Sequence, residues 1–319
     1  MGCSCGALIK AIDAYLAKGD DELELALEAA GYVDVPETIE HIANLEDGIA
    51  VVLISETEYI LASLKDRIDL ETYFSEIWPE IKKNNPTADK LFELFWDDFS
   101  GYMKPLASKY IAATDAELTV RTVSQRTTAW AKQWSKDLSG LMQLESHTQI
   151  EKILMTAMNE GQSVAEVTQA LMDSGIRNEY VRARKTALTE TLRAHSVASQ
   201  EAMLQSPSVV EKEWRHSGAY RNTPRANHVA MSGQRVRKEA AYVLQGQDGG
   251  TYYPLYPRDP SLPAGESINC HCISQPIVSE EILGLPIEER RLLQEEALAA
   301  MDDAWEEELY LKNKALAGL

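Results

Sequence analysis

The stretch PLYPRDPSLPAGESINCHCISQPIV, residues 254–278, decides how the rest of the chain is read. Pro254, Pro257, Pro260, Pro263 and Pro276 fall within 25 residues, and proline removes a helical donor and clashes with the preceding turn. No helix of ordinary length can run through it. The same texture extends back to residue 206, with Pro207, Pro224, Gly218, Gly233, Gly246, Gly249 and Gly250. Short β-prone pieces survive inside it: Val209–Trp214, Thr251–Tyr253 and Ile273–Val278. Residues 206–279 therefore read as a small, loop-rich α+β module.

Upstream the pattern is helical. From Ile150 to Leu171 the apolar residues keep helical spacing, broken at Gly161, and Ser163 with Glu166 forms a capping box for the next helix. Gly175 is expected to close that helix and Asn178 to cap another, running from Glu179 to about Gln205. This last helix is expected to be amphipathic. Val181, Leu188, Leu192, Ala198 and Met203 fall on one face, and Arg182, Arg184, Lys185 and Arg193 make a basic stripe on the other. Such a stripe is either a solvated face or a contact for an acidic protein surface. Thr114 and Glu117 read as a second capping box, opening a long helix through Trp130 and Trp134. The run Ile49–Ile54 is too short for periodicity to separate strand from buried helix. After Pro286 an acidic helix runs to about Lys314, with Leu292, Leu293, Ala297, Met301, Ala304 and Leu309 on its apolar side.

The fold class is α+β: a mainly helical N-terminal two-thirds, a small loop-rich α+β C-terminal module and a terminal acidic helix. Four segments follow. They are an acidic helical region of unrecognised type (1–112), a helical arm or bundle (113–205), the loop-rich module (206–279) and the acidic C-terminal helix (280–319).

Composition narrows the function classes. The 319 residues carry 31 basic and 50 acidic side chains, a net of −19. Residues 1–120 account for −15 of it and 280–319 for −7, while 121–279 carry +3. An acidic chain lacks the basic face that broad nucleic-acid or anionic-membrane binding needs. No run of 18 apolar residues is present to span a bilayer, and Lys10, Asp13, Lys18 and Asp20 interrupt any signal-peptide core. Met-Gly-Cys at the start invites lipidation, but Gly6 stands where the myristoylation pattern wants Ser or Thr. The expectation is a protein made in a cytoplasm, with no membrane anchor.

The module also gathers the chemistry. His216, His228, His271, Cys270 and Cys272 lie within 57 residues, and the remaining two cysteines, Cys3 and Cys5, stand at the other end. His216, His228, Cys270 and Cys272 would offer a zinc ion two nitrogens and two sulfurs. Cys-x-Cys places side chains on opposite sides of an extended strand, so the set needs a kink, and Asn269 is a plausible turn residue. The alternative is buried thiols and imidazoles in ordinary hydrogen bonds. Glu266, Cys270 and His228 also form a nominal acid, nucleophile and base. Zinc-deaminase, metalloprotease, nucleophile-elbow and phosphate-loop patterns are absent, and the reading is of a protein that is not an enzyme.

Read in order, several pieces carry a resemblance: Trp214-Arg-His-Ser-Gly218, Pro224-Arg-Ala-Asn-His-Val-Ala-Met-Ser-Gly233, Pro263-Ala-Gly-Glu266, Ile268-Asn-Cys-His-Cys272 and Gln275-Pro276. They resemble the Mu F-like phage head morphogenesis family, which reads W-x-H/T-S, P-R-x-x-H-x-x-M-x-G, P-G-E and N-C-R-C-x-x-x-P. Ala187–Ala194 resembles the A-x-T-E-T-x-R-A segment before it, so the likeness spans about 125–278. His271 replaces the usual arginine between the cysteines, and Ala264 lengthens the Pro-Gly-Glu turn. The resemblance implies a minor structural protein of a tailed-phage head, in the virion at the portal vertex or inner capsid. Its partners would be the portal protein or the major capsid protein, in several copies, acting in head morphogenesis and genome delivery beside DNA without sequence-specific binding. Residues 1–110 would be a lineage-specific addition. Trp214, Arg225, His228, Glu266 and Asn269 would form a polar network holding the module rigid. Two rivals stand beside this reading: a metal-dependent hydrolase or nuclease packaged in the head, and a cytoplasmic assembly factor absent from the virion.

Overall fold

A computed structural model of the chain describes residues 20–65, 69–216 and 224–316, apart from the side chains of 174–178 and 316. Cys3 and Cys5, the anchor reading attached to them, and Ser217 and Gly218 lie outside the described residues. The chain is mainly helical with a small antiparallel sheet near its C-terminal end. Its packing forms two units, neither of them one stretch of chain. One comprises Met1–His41, Tyr102–Thr127 and Thr189–Leu319; the other comprises Ile42–Gly101 and Thr128–Leu188.

The second unit is all helix. It holds most of α2 (Val35–Leu64), the short α3 (Leu70–Thr72), a π turn at Tyr73–Ile77, α4 (Trp78–Asn84), and parts of α5 (Thr87–Thr114), α6 (Gln125–Glu160) and α7 (Val164–Gln205). The ambiguous run Ile49–Ile54 is helical: Ile49 and Leu53, four apart, are buried while Val51 is exposed. Its core gathers Ile60, Leu64, Tyr73, Trp78, Leu154 and Leu171. Buried Glu56 accepts from Asn85 Nδ2 at 2.8 Å, and burial raises its carboxyl above the usual range. Helix α6 stops at Glu160, Gly161 turns left-handed with φ 67°, and Ser163 and Glu166 cap α7 reciprocally.

Two sequence expectations fail along these helices. Gly175 does not close a helix, because α7 runs unbroken from Val164 to Gln205. An interior glycine costs about 1 kcal/mol against alanine, less than a helix of this length recovers by packing. Thr114 does not open one either. It lies at the end of α5, where its hydroxyl donates to Ile111 O, and α6 begins at Gln125 behind Ser124, whose Oγ accepts from Thr127 N.

The first unit is organised around the C-terminal part of α7. Every residue from Thr189 to Met203 is buried, so this segment is not amphipathic as expected but a central helix. Glu190, Arg193, His195, Ser196, Gln200 and Glu201 are buried with the apolar residues, and each finds a partner. Glu201 accepts from Ser124 N and Oγ and from Thr127 Oγ1; Gln200 accepts from Lys212 Nζ at 2.9 Å. Beside it lie the helical residues 20–30 (α1), which bury Leu23 and Leu27.

Strand β1 (Val209–Arg215) is the middle of a sheet ordered β2–β1–β5, with β2 at Arg235–Arg237 and β5 at Ile273–Val278. Both pairings are antiparallel, with Glu213 opposite Arg235 and Trp214 opposite Ser274. Pro276 is tolerated because β5 is an edge strand. A two-stranded ribbon, β3 (Leu244–Gln245) with β4 (Thr251–Tyr252), and the short helices α8 (Ala226–Met231) and α9 (Ala264–Ser267) complete the module. After α10 (Glu280–Leu283), helix α11 (Ile287–Leu316) docks through polar residues. Arg290 pairs with Asp115 and Glu117, and Gln294 donates to Thr119 O at 3.0 Å, whereas Leu292 and Leu309 of the expected apolar side are exposed.

His195 shows what a buried polar helix requires. Its Nε2 meets Thr38 Oγ1 at 2.9 Å and its Nδ1 meets Tyr110 Oη at 2.9 Å. Thr38 already donates to Asp34 O, so it accepts from Nε2–H while Tyr110 donates to Nδ1, and the imidazole is neutral. Burial, with the Arg258, His41 and Lys109 charges, pushes its pKa from 6.5 down to about 3. Between those values the unfolded chain holds a proton that the folded chain does not, so stability falls as pH falls. Below pH 6.5 the protein should lose roughly 1.4 kcal/mol per pH unit from this residue. Denaturant unfolding from pH 7 to 4 should show a slope one proton shallower in His195→Gln than in the parent; equal slopes would contradict the assignment.

Candidate functional site

The site starts from a backbone kink. Asn269 sits at φ 55°, in the left-handed region that asparagine tolerates better than most residues. Cys270, His271 and Cys272 therefore leave the turn after α9 as irregular chain before β5 begins at Ile273. The alternation of an extended strand does not apply, and both thiols enter the same core. That core is Trp214, Met231, Tyr242, Leu244, Leu262, Cys270 and Cys272.

Helix α8 presents His228 to the two sulfurs. Its Nδ1 lies 3.5 Å from Cys270 Sγ and 3.7 Å from Cys272 Sγ, and all three ligating atoms fall within 4.8 Å of one another. His216, at the end of β1, places Nδ1 3.7 Å from Cys272 Sγ. On its far side His228 Nε2 meets Glu266 Oε2 at 2.8 Å. Glu266 also accepts from Gln247 N and from Asn227 Nδ2. Burial opposes its charge, yet these three hydrogen bonds hold its carboxyl below the usual range. A charged Glu266 fixes the hydrogen of His228 on Nε2 and leaves the Nδ1 lone pair facing the sulfurs.

The electrostatics favour a negative sulfur. The neighbouring Cys272 thiol and the Arg258 charge drive the Cys270 thiol well below its ordinary range against the cost of burial. The same sharing drives Cys272 up. The Trp214 indole N–H makes no well-formed hydrogen bond, and it favours a negative sulfur at Cys272. Its ring stands edge-on to His228 at 5.7 Å and to Tyr242 at 5.3 Å.

The structure thus brings His216, His228, Cys270 and Cys272 together, with Trp214 and Glu266 against them. Arg225 stands further out, donating to Ile268 O at 2.6 Å and so bracing the chain just before the Asn269 kink. His271 is buried but outside the cluster, its pKa pushed down to about 4 by burial and by Arg258. Thiol, imidazole and carboxylate also stand in the order of a nucleophilic relay, but Cys270 is 3% exposed. The cavity of about 350 Å³ in this unit is lined by Tyr32, His195, Arg258 and Gln275, and by none of the three relay residues.

The basic residues of α7 do not form one exposed stripe. Arg182 donates to Ser146 Oγ and Met142 O, Arg184 pairs with Glu46 at 2.9 Å, and buried Arg193 pairs with Glu190. Lys185 alone of the four is exposed. Each arginine has a partner inside its own unit, so the four do not present the single basic face that their spacing suggests.

Sequence reasoning missed Arg258. It is fully buried with φ 65°, and its guanidinium reaches Cys270 O (2.5 Å), Tyr32 Oη (3.0 Å) and Ser196 Oγ (2.6 Å). Arg193 in turn donates to Arg258 O. The signal was a charged residue set between Pro257 and Asp259-Pro260, where the chain is too constrained to move it into solvent.

Comparison with known proteins places these residues. The family model described as "Phage Mu protein F like protein" matches residues 148–275, which include α7, the Asn269 kink and the whole cluster. A Bacillus subtilis (strain 168) protein, "Uncharacterized protein YqbB", is 31% identical over 306 residues, covering 92% of this chain and 98% of the relative. That likeness reaches well into the N-terminal helical region, which the relative therefore shares. No solved structure matches.

Because Asn269 is held left-handed, Asn269→Gly should stay within a few tenths of a kcal/mol of the parent, while Asn269→Val should lose about 1–2 kcal/mol. Chemical denaturation of the two variants checks this, and equal losses would show that the kink does not depend on the residue.

Proposed function

This chain belongs to the Phage Mu protein F like family of phage head morphogenesis proteins, and on that premise we propose that it is a minor structural protein of a tailed-phage head. It resides in the virion at the portal vertex or inner capsid, in several copies, and acts in head assembly and genome delivery without catalysing a reaction. Its partners are the portal protein or the major capsid protein.

One observation carries the structural reading. The residues of the family's ordered motifs are spent on internal bonds: Glu190 on Arg193, Arg193 on Arg258 O, Arg225 on Ile268 O, and His228 on Glu266. They are buried or half-buried and brace loops. A catalytic set would instead present its reacting atoms to a cleft. The acidic surface suits a protein stored beside packaged DNA, since it offers few cations for phosphate contacts.

We assign the contact with the head to the C-terminal turns of α11. Up to Glu308 that helix is tied down by Arg121–Glu295, by Gln125 N to Asp302, and by Arg126–Glu308. Beyond it Leu309, Tyr310 and Leu311 are all exposed, next to Glu306, Glu307 and Glu308. Exposed Tyr310 and Leu311, with half-exposed Leu309, give the last turns of this helix apolar surface for a partner to cover. No described helix is long and apolar enough to cross a membrane.

Mass spectrometry of purified virions should find the chain at a few copies per particle; its absence would favour the assembly-factor reading. Leu309→Glu with Leu311→Glu should leave unfolding within about 0.5 kcal/mol of the parent, as surface changes do, yet deplete the protein from particles. Normal incorporation of that variant would remove α11 as the contact. Nuclease or hydrolase turnover abolished by His228→Ala would overturn the structural reading itself.

A further inference from the structure

We infer that His216, His228, Cys270 and Cys272 hold a structural zinc-class cation in a closed tetrahedral site, and that this cation fastens the loop-rich module. The inference stands apart from the proposed function and does not depend on it.

Distances carry the argument. Zinc sits about 2.3 Å from sulfur and about 2.0 Å from imidazole nitrogen, so the sulfur–nitrogen edge of its tetrahedron is about 3.5 Å. The three sulfur–nitrogen separations here are 3.5, 3.7 and 3.7 Å. His228, Cys270 and Cys272 are already spaced as ligands around a common centre, and His216 stands against Cys272 as the fourth donor.

Hydrogen bonding and a cation are the two ways to satisfy the cluster. With the hydrogen of His228 held on Nε2 by Glu266, its Nδ1 offers a single lone pair to two sulfurs, and Cys272 has His216 Nδ1 as its other acceptor. A cation accepts lone pairs from both sulfurs and both nitrogens together, and binding it releases the thiol protons to solvent. Two thiolates, two neutral imidazoles and one divalent ion sum to zero charge, which suits a core in which Trp214 and both cysteines are nearly inaccessible.

The surroundings match a metal's outer shell. Glu266 accepting from the far nitrogen of His228 is the carboxylate–histidine arrangement that fixes a ligand's tautomer and ring orientation. Asn227, which bonds Glu266, also donates to Gln245 O, so the carboxylate is itself held. The left-handed Asn269 turns a Cys-x-Cys pair, otherwise a poor chelator, into one whose sulfurs face the same nitrogen. The small core explains the need, since the cluster at the module's centre has seven buried side chains, two of them cysteines, and little else to close it.

The test uses the untagged full-length chain, purified without chelator. Elemental analysis should give about one zinc per chain. Cobalt(II) titrated into the zinc-depleted protein should give a thiolate-to-cobalt charge-transfer band and the intense visible bands of tetrahedral cobalt. Glu266→Gln should weaken cobalt binding by about 10–100-fold with the spectrum kept. Cys272→Ser and His216→Ala should each alter the spectrum and lower affinity, while the double variant Cys3→Ser, Cys5→Ser should change neither. Absence of zinc together with absence of a charge-transfer band in the unsubstituted protein would overturn the site, whether or not the variants fold. So would full metal content in a Cys270→Ser, Cys272→Ser protein, and full affinity in His216→Ala would overturn the four-donor set.

Discussion

Helix α7 is buried on every side between Thr189 and Met203, yet about half of those residues are polar. Burying an unpaired polar group costs more than a made hydrogen bond returns, so the charged and amide side chains of this helix draw matching donors or acceptors from what packs against them. Much of the strand-bearing unit follows from that demand. Arg258 is inside because Ser196, Tyr32 and Cys270 O need a donor; Lys212 is inside because Gln200 and Leu255 O need one. The start of α6 is fixed by Glu201, which receives the Ser124 N–H and hydroxyl. A core of this kind is specific, because a wrong register leaves several buried groups unpaired at once.

The same logic extends to the sulfur–imidazole cluster. The loops from Trp214 to Pro276 enclose little apolar surface, and two of their seven core side chains are cysteines. Hydrogen bonds hold its outer ring, through Arg225 on Ile268 O, Asn227 on Gln245 O and Gln234 on Val243. At the centre, Gly233, at φ 92°, returns its N–H to Trp214 O and lets the chain after α8 turn into β2. What remains to be bonded is the group of donors facing one another at His228, Cys270 and Cys272. A protein built this way is rigid without a large core.

Much of this was legible in the sequence, and the failures share a cause. Proline and glycine density gave the position of the module, and the three β-prone pieces are the strands β1, β4 and β5, because turn chemistry and strand alternation are local. The Ser163–Glu166 box was legible for the same reason. The Thr114–Glu117 pair was not: the same residue types serve the end of α5 and the pairing of Asp115 and Glu117 with Arg290, a contact 173 to 175 residues away. Helix α7 misled because polar residues at helical spacing look like a solvated face, and only the partners reveal a buried one. Gly175 misled because a local propensity lost to the packing of a long helix. The donors at His216, His228, Cys270 and Cys272 were nameable from residue type, but their convergence rests on the left-handed Asn269, which residue order alone does not show. Arg258, whose partners come from three separate segments, had no local signature beyond its proline neighbours.

The proposed cation, bound to two sulfurs and two imidazoles, would close the centre of the segment that carries the family's motifs. X-ray absorption at the zinc edge of the purified chain reads that centre directly. The expected result is two sulfurs at about 2.3 Å and two nitrogens at about 2.0 Å from the metal. A shell of oxygen and nitrogen alone, with no sulfur scattering, would contradict it.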